Sequence, residues 1–356
     1  MRIRSSSLLL TLAMVAGTGA CLLAQKAVTA PAVATDEVLA WPAPPAAARI
    51  KWVANYRNAF DVGAKKKRSF LDRLAGKSEE VLWIERPLSV AVDDQGVIFV
   101  GDFSRGIVAL DPTNKEAWAF SSVSGAILPT PTGLAVDSKL VFAASANTSQ
   151  VVVFDKKGRQ LGALSKADGI NRPVGLAVDE ARDLLIVVNG EEHAVRLYTR
   201  TLKLIKIIGG RGSEEGLFNL PSYVCVVPGV GFAVADTGNF RIQIFDFNGQ
   251  FLRAFGKVGD MPGEFSRPKG IAVDSDGHLY VVDGTFNNFQ VFNQDGRVLI
   301  SVGQVGVGRG QFQVPNGLAI DAKGGIYVAD QINGRIQKFQ YLPEEKQAPP
   351  SSPKPQ

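Results

Sequence analysis

A proline followed at once by a short apolar run recurs six times in this chain, at Pro87, Pro131, Pro173, Pro221, Pro268 and Pro315. The steps between them are 44, 42, 48, 47 and 47 residues. The runs read PLSVAVD, PTGLAVD, PVGLAVD, PSYVCVV, PKGIAVD and PNGLAID. A unit of about 40–50 residues built from short strands is one blade of a β-propeller, because four strands and their turns use that much chain. The repeat therefore predicts an all-β fold, a six-bladed β-propeller of four-stranded antiparallel blades. It does not predict an activity, since propellers host many unrelated ones.

Within the repeat, blade four shows four strand signals: SYVCVV, GFAVAD, FRIQIFD and GQFLRAFG. Blade five repeats them as KGIAVD, HLYVVD, NFQVFN and GRVLISVG. Apolar alternation bounded by Gly, Asp and Asn marks strands rather than helices. Asn248-Gly249 and Asp295-Gly296 stand where tight hairpins join the third and fourth strands. Blade six has only three such signals before Pro343 and a polar tail. The strand-like run RIKWVANY at 49–56 is the one left over. It is expected to complete blade six, closing the ring and covering an exposed edge.

The chain begins Met1-Arg-Ile-Arg, continues with an apolar run over 8–16, and reaches Gly17-Thr-Gly-Ala-Cys21. A charged start, a short apolar stretch and small residues read as a secretory leader over 1–20. The junction resembles a bacterial lipoprotein box, with Thr18 where Leu is usual, and makes Cys21 the expected lipidated N-terminus. The alternative is ordinary cleavage with Cys21 a bystander. Residues 21–48, rich in Ala, Pro and Val, read as a tether, and 343–356 as a disordered tail. The propeller is then expected over 49–342. Formal charge is +5, and loss of Arg2 and Arg4 with the leader lowers it to +3. So weak a positive charge gives no reason to expect a nucleic-acid partner. Cys225, the other cysteine, lies in the apolar run 223–227 and is expected to be a small core residue.

The segments ADTGNFRIQIFD from Ala235 and ADQINGRIQKF from Ala329 resemble NHL repeats. So does the spacing GxxGxxxGxFxxP, which starts at Gly209, Gly256 and Gly303. The resemblance covers about residues 86–342. Blades one to three depart from it: Ser145 and Asn189 stand in place of the aspartate in blades two and three, and no Arg occupies the matching position. It implies a six-bladed propeller that serves as an interaction module. Physically, the glycines suit left-handed turns, the Phe is expected to fill the gap between blades, and Asp236–Arg241 and Asp330–Arg335 are expected to pair as scaffold. The Gly-rich loops precede strands, not helices, so they are not read as phosphate cradles.

Some propellers of similar form are zinc-dependent lyases with several channel histidines. This chain has two, His193 and His278, in turns expected on opposite faces. Others are calcium-dependent lactonases, and Asn316, Asp321 and Glu85 are residues of the right kind, so a channel calcium stays open. No Gly-x-Ser-x-Gly elbow and no Cys-x-x-Cys-His haem motif occur.

The connection 57–85 at the closure seam is long and carries Lys65-Lys-Lys-Arg68 followed by a helix signal over 69–76. It reads either as a seam cover or as a docking element for a partner or anionic headgroups. On the same face, Leu88, Thr132, Val174, Ser222, Lys269 and Asn316 follow the prolines and are expected to ring the channel. Asn239, Phe240, Phe286, Asn287 and Asn333 come from the adjacent turns. Ser222, Asn239, Phe240, Lys269, Phe286, Asn287, Asn316 and Asn333 are the binding candidates, amides beside aromatics being suited to a protein loop or glycan. The expected function is a non-catalytic, envelope-anchored scaffold that binds an envelope protein through this face, with no cofactor. The alternative is a metal-dependent lyase or lactonase with its site in the channel.

Overall fold

The computed structural model describes residues 38–64, 81–120, 122–123 and 126–343. The leader, Cys21, the basic run Lys65-Lys-Lys-Arg68, the helix expected over 69–76 and all but the first residue of the C-terminal tail lie outside them. Six antiparallel sheets form the blades. In blade one the strands are Pro87–Val92, Ile98–Asp102, Gly106–Asp111 and Glu116–Phe120, paired in that order. The innermost strands of successive blades touch, and that of blade six meets that of blade one, so the ring is closed.

Burial follows position within the blade. Second strands are enclosed on both faces, and Ile98–Asp102 is buried at every residue. Such strands must be apolar throughout. Outer strands alternate, as in Val298–Val302, because one face meets water. The core lies between blades: Tyr56, Ile336 and Tyr327 of blade six pack with Val90, Val100 and Val108 of blade one.

Closure occurs as the missing fourth strand requires. Ile50–Tyr56 pairs antiparallel with Arg335–Tyr341, from Ile50 opposite Tyr341 to Tyr56 opposite Ile336. An additional strand, Ala40–Trp41, lies in the stretch read as tether and pairs with Ile50 and Lys51. Trp41 sits 5.7 Å from the Phe339 ring, which explains why this short segment leaves solvent. After the closing strand, Asn58 caps a 3-10 turn over Ala59–Val62.

Two devices space the blades. Phe218, Phe265 and Phe312 are fully buried. Their rings lie so close to Gly209, Gly256 and Gly303 that an added Cβ would stand 2.4–2.5 Å away, and all three glycines have positive φ. Only glycine meets both demands. Around the axis, the second residue after the proline is Gly133, Gly175, Gly270 or Gly317 in four blades. A Cβ at Gly270 would meet Asn316 O at 2.4 Å, so the inner strands approach backbone to backbone.

Candidate recognition site at the proline end of the channel

In each blade the first strand begins, and the second ends, at the same end of the ring. The prolines, the residues after them and the turns between second and third strands therefore share this proline end. Turns between first and second strands emerge at the other.

The second strands end in Asp102, Ser145, Asn189, Asp236, Asp283 and Asp330, all fully buried. Each latches the loop leading into its own blade. Asp283 accepts from the amides of Ser266, Arg267, Thr285 and Phe286. Asp330 accepts from Gln313 N and pairs with Arg335 Nε at 2.7 Å, while Asp236 pairs with Arg241 Nε at 2.9 Å. Both arginines also donate to loop carbonyls, as the scaffold reading requires. Asn189 performs the latch as an amide, accepting from Asn171 N and donating to Gly169 O. Ser145 only donates, to Pro129 O at 2.5 Å.

Several of the binding candidates belong to this latch. Asn239 Nδ2 donates to Gly212 O and Asp236, and Asn333 Nδ2 to Gly306 O and Asp330. Their amides fasten the inter-blade loops. Phe240 and Asn287 occupy the left-handed position four residues past the latch, both at φ 56°. Phe240 packs partly into the core between blades four and five. Asn287 Oδ1 accepts from Val314 N, tying blade five to blade six. Phe286 is half-buried beside it. Ser222 Oγ shares a 2.6 Å hydrogen bond with Thr237 Oγ1, which donates to Pro268 O.

The structure brings Lys269 and Asn316 together, on adjacent blades. Lys269 Nζ donates to Asn316 Oδ1 at 3.2 Å. Burial, with the nearby Arg267 charge second, lowers the Lys269 amine to about 8. No carboxylate lies within ion-pair distance of it among the described residues. Asn316 is 8% exposed.

Tyr223 is the residue that sequence reading missed. It was assigned to the first strand of blade four, yet that strand begins at Val224. Its side chain crosses the channel instead. The hydroxyl lies 2.8 Å from Leu88 O, 3.2 Å from Thr132 O and 3.2 Å from Asn316 Oδ1, joining blades one, two and six. Burial raises its pKa above the usual phenol value. The available signal was positional: the other blades carry Gly or Ser at this place, and one large residue among small ones fills the axis.

The metal expectations can be tested on donors. His193, at the proline end, accepts from Leu220 N at 3.0 Å; His278, at the other end, sits 2.9 Å from Asp274. They do not converge. Asn316 is the second residue of the strand Pro315–Ile320 and Asp321 follows it, on the order of 15 Å apart at strand rise. Asp321 receives Lys323 N, Gly325 N and Tyr327 OH, and Glu85 pairs with Arg105 at 2.6 Å. Asn316 Oδ1 faces an ammonium, where a cation does not fit. No cluster of three His, Cys, Asp or Glu suited to a metal occurs among the described residues. Cys225 is a free, buried thiol raised to about 12 by burial, as a core residue would be.

The family model for the NHL repeat matches residues 265–293 and 312–339. No curated protein matches the chain. Among solved structures, a protein of unknown function from Bacteroides thetaiotaomicron is 18% identical with a TM-score of 0.56, covering 73% of this chain and 70% of that one. A catalytically inactive His-to-Ala variant of virginiamycin B lyase from Staphylococcus aureus, solved with quinupristin, is 14% identical at TM-score 0.54, covering 73% and 96%. A streptogramin B lyase is 14% identical at TM-score 0.53, covering 72% and 94%. At these identities the likeness is one of fold. The closed ring of six sheets makes the chain a six-bladed β-propeller, and two of its segments, 265–293 and 312–339, match the NHL repeat.

Proposed function

We propose that this protein is a non-catalytic scaffold, held at the cell envelope through Cys21, that binds another protein through the proline end of its propeller. NHL propellers commonly mediate protein interaction, and nothing about this ring departs from a rigid platform. The observation that carries the reading is the channel mouth. Tyr223 fills the axis, while Lys269 and Asn316 stay polar beside it without a metal-type donor set. A lyase or lactonase in the channel needs converging oxygen or imidazole donors. Among the described residues, His193 and His278 lie at opposite ends of the channel, which supports the reading.

The test is isolation of the tagged protein from its own envelope, with variants at each end. A specific partner recovered with the parent and with Lys323→Glu, on the far end, but lost with Arg267→Glu supports the reading. Equal recovery with both variants, or stoichiometric calcium or zinc in the purified protein, overturns it. The anchor is tested separately, since Cys21→Ser is expected to move the protein out of the membrane fraction.

A further inference from the structure

The mouth of the channel contains two hydrogen-bond donors with capacity that no described residue takes up. Lys269 Nζ has three protons and one partner, Asn316 Oδ1. An ammonium requires an acceptor, so it fixes the amide with its oxygen inward. Asn316 Nδ2 is then left without a partner among the described residues. The residue is 8% exposed, and Nδ2 is not among the side-chain atoms sealed from solvent without a bond. The other well-covered cations are matched. Arg335, Arg241, Arg200 and Lys156 each pair with a carboxylate whose side chain is 0–2% exposed. Arg196 pairs with Glu192 at 2.7 Å. Lys269 has no such carboxylate among the described residues, and the exposed Arg267 two residues earlier adds a second positive charge. A half-buried amine with no counter-ion costs stability unless something outside the chain supplies one.

We propose that Lys269 Nζ and Asn316 Nδ2 together bind a carboxylate presented by an acidic segment of a partner protein. The inference rests on the reading that the proline end binds protein, and gives that contact its chemistry. A carboxylate suits the site because it is planar and carries two oxygens, one for each donor. Tyr223 already fills the axis beside the pair. An Asp or Glu side chain, or a chain terminus, can bring such a group to the mouth while the rest of the segment lies over Arg267.

The experiment uses the purified protein and an N-acetylated, C-terminally amidated hexaglutamate, with hexaglutamine as the neutral control. The Lys269 amine is followed by NMR of ¹³Cε-labelled lysine, and binding by calorimetry at low and moderate salt. Hexaglutamate is expected to bind, to raise the Lys269 pKa by about one unit or more, and to weaken with salt. Hexaglutamine is expected to do neither. Asn316→Asp supplies the carboxylate internally at nearly the same shape and is expected to weaken binding tenfold or more, as is Lys269→Met. An unmoved Lys269, or equal binding by the parent and Asn316→Asp, overturns the proposal. If that result accompanies a partner still lost with Arg267→Glu, the carboxylate chemistry is wrong and the proline-end reading stands. If the peptide binds as expected but the partner is indifferent to Arg267→Glu, the carboxylate site stands and the proline-end reading fails.

Discussion

At the end of the channel away from the prolines, five of the six innermost strands end in or are followed by an aspartate: Asp93, Asp137, Asp179, Asp274 and Asp321. Every one is engaged. Asp93 pairs with Lys156 at 2.6 Å, Asp137 with Arg200 at 2.7 Å and Asp179 with Arg182 at 2.8 Å. Asp274 and Asp321 each accept from a tyrosine hydroxyl, of Tyr280 and Tyr327. At the proline end the residues in the equivalent place are mixed, and two polar ones, Lys269 and Asn316, keep donors unused. The far end shows polar groups used to hold turns, with each of these aspartates bonded inside the chain. The proline end keeps donor capacity that no described residue takes up, which supports the proposed recognition role.

Both ends depend on the ring, so the largest effect comes from opening it. Deleting residues 49–56 removes the strand paired with Arg335–Tyr341 and is expected to abolish the cooperative thermal transition. A melting curve like that of the parent would refute non-covalent closure. Next is the loss of a latch. Asp330→Ala leaves Arg335, 1% exposed, without its carboxylate, and is expected to cost about 3–5 kcal/mol in urea denaturation. Asp137→Ala, which leaves the partly exposed Arg200 with only Glu180 at 3.4 Å, is expected to cost about 1.5–3 kcal/mol.

Tyr223→Phe removes the hydroxyl that three blades share and is expected to cost about 1–3 kcal/mol at neutral pH. Its raised pKa keeps the buried phenol neutral, so its contribution is full below pH ~10 and lost at more alkaline pH. The alkaline loss of stability should therefore be shallower in Tyr223→Phe than in the parent. The smallest effect has the opposite sign. Lys269 is lowered to about 8 in the fold, whereas an unfolded lysine titrates near ~10.4. The unfolded chain binds the extra proton between those values, so the lysine penalises folding below pH 8 and the penalty fades as pH rises through the window. Lys269→Met is expected to melt slightly higher than the parent at pH 7, with the difference gone above pH ~10.5. A lower melting temperature at pH 7 would mean that the amine is matched after all.

The fold was legible because its determinants repeat. The proline step fixed the blade count, the Gly-x-Phe spacing fixed the loops, and the absent fourth strand of blade six pointed to residues 49–56. The strand Ala40–Trp41 was not legible, since two residues carry no periodicity and what holds them, pairing with Ile50 and Lys51 and the Phe339 contact, is tertiary. The site was legible in part. Lys269 and Asn316 were found because the residue after each proline must lie at the mouth. Asn239 and Asn333 were also read as binding residues, yet they stand three residues past Asp236 and Asp330 in matching motifs and use their amides on loop carbonyls. Repetition marks scaffold, and single departures from it mark the axis. Tyr223 is such a departure, but sequence alone gives no account of which carbonyls its hydroxyl reaches.

The account turns on a charge that the fold leaves without an internal partner. The most direct measurement is the pH titration of Lys269 in the free protein, by NMR of its ε-carbon. A midpoint about 8 is predicted. A midpoint at the ordinary lysine value of ~10.4 would show the amine solvated or paired, and would contradict the assignment of this mouth as a site awaiting an anion.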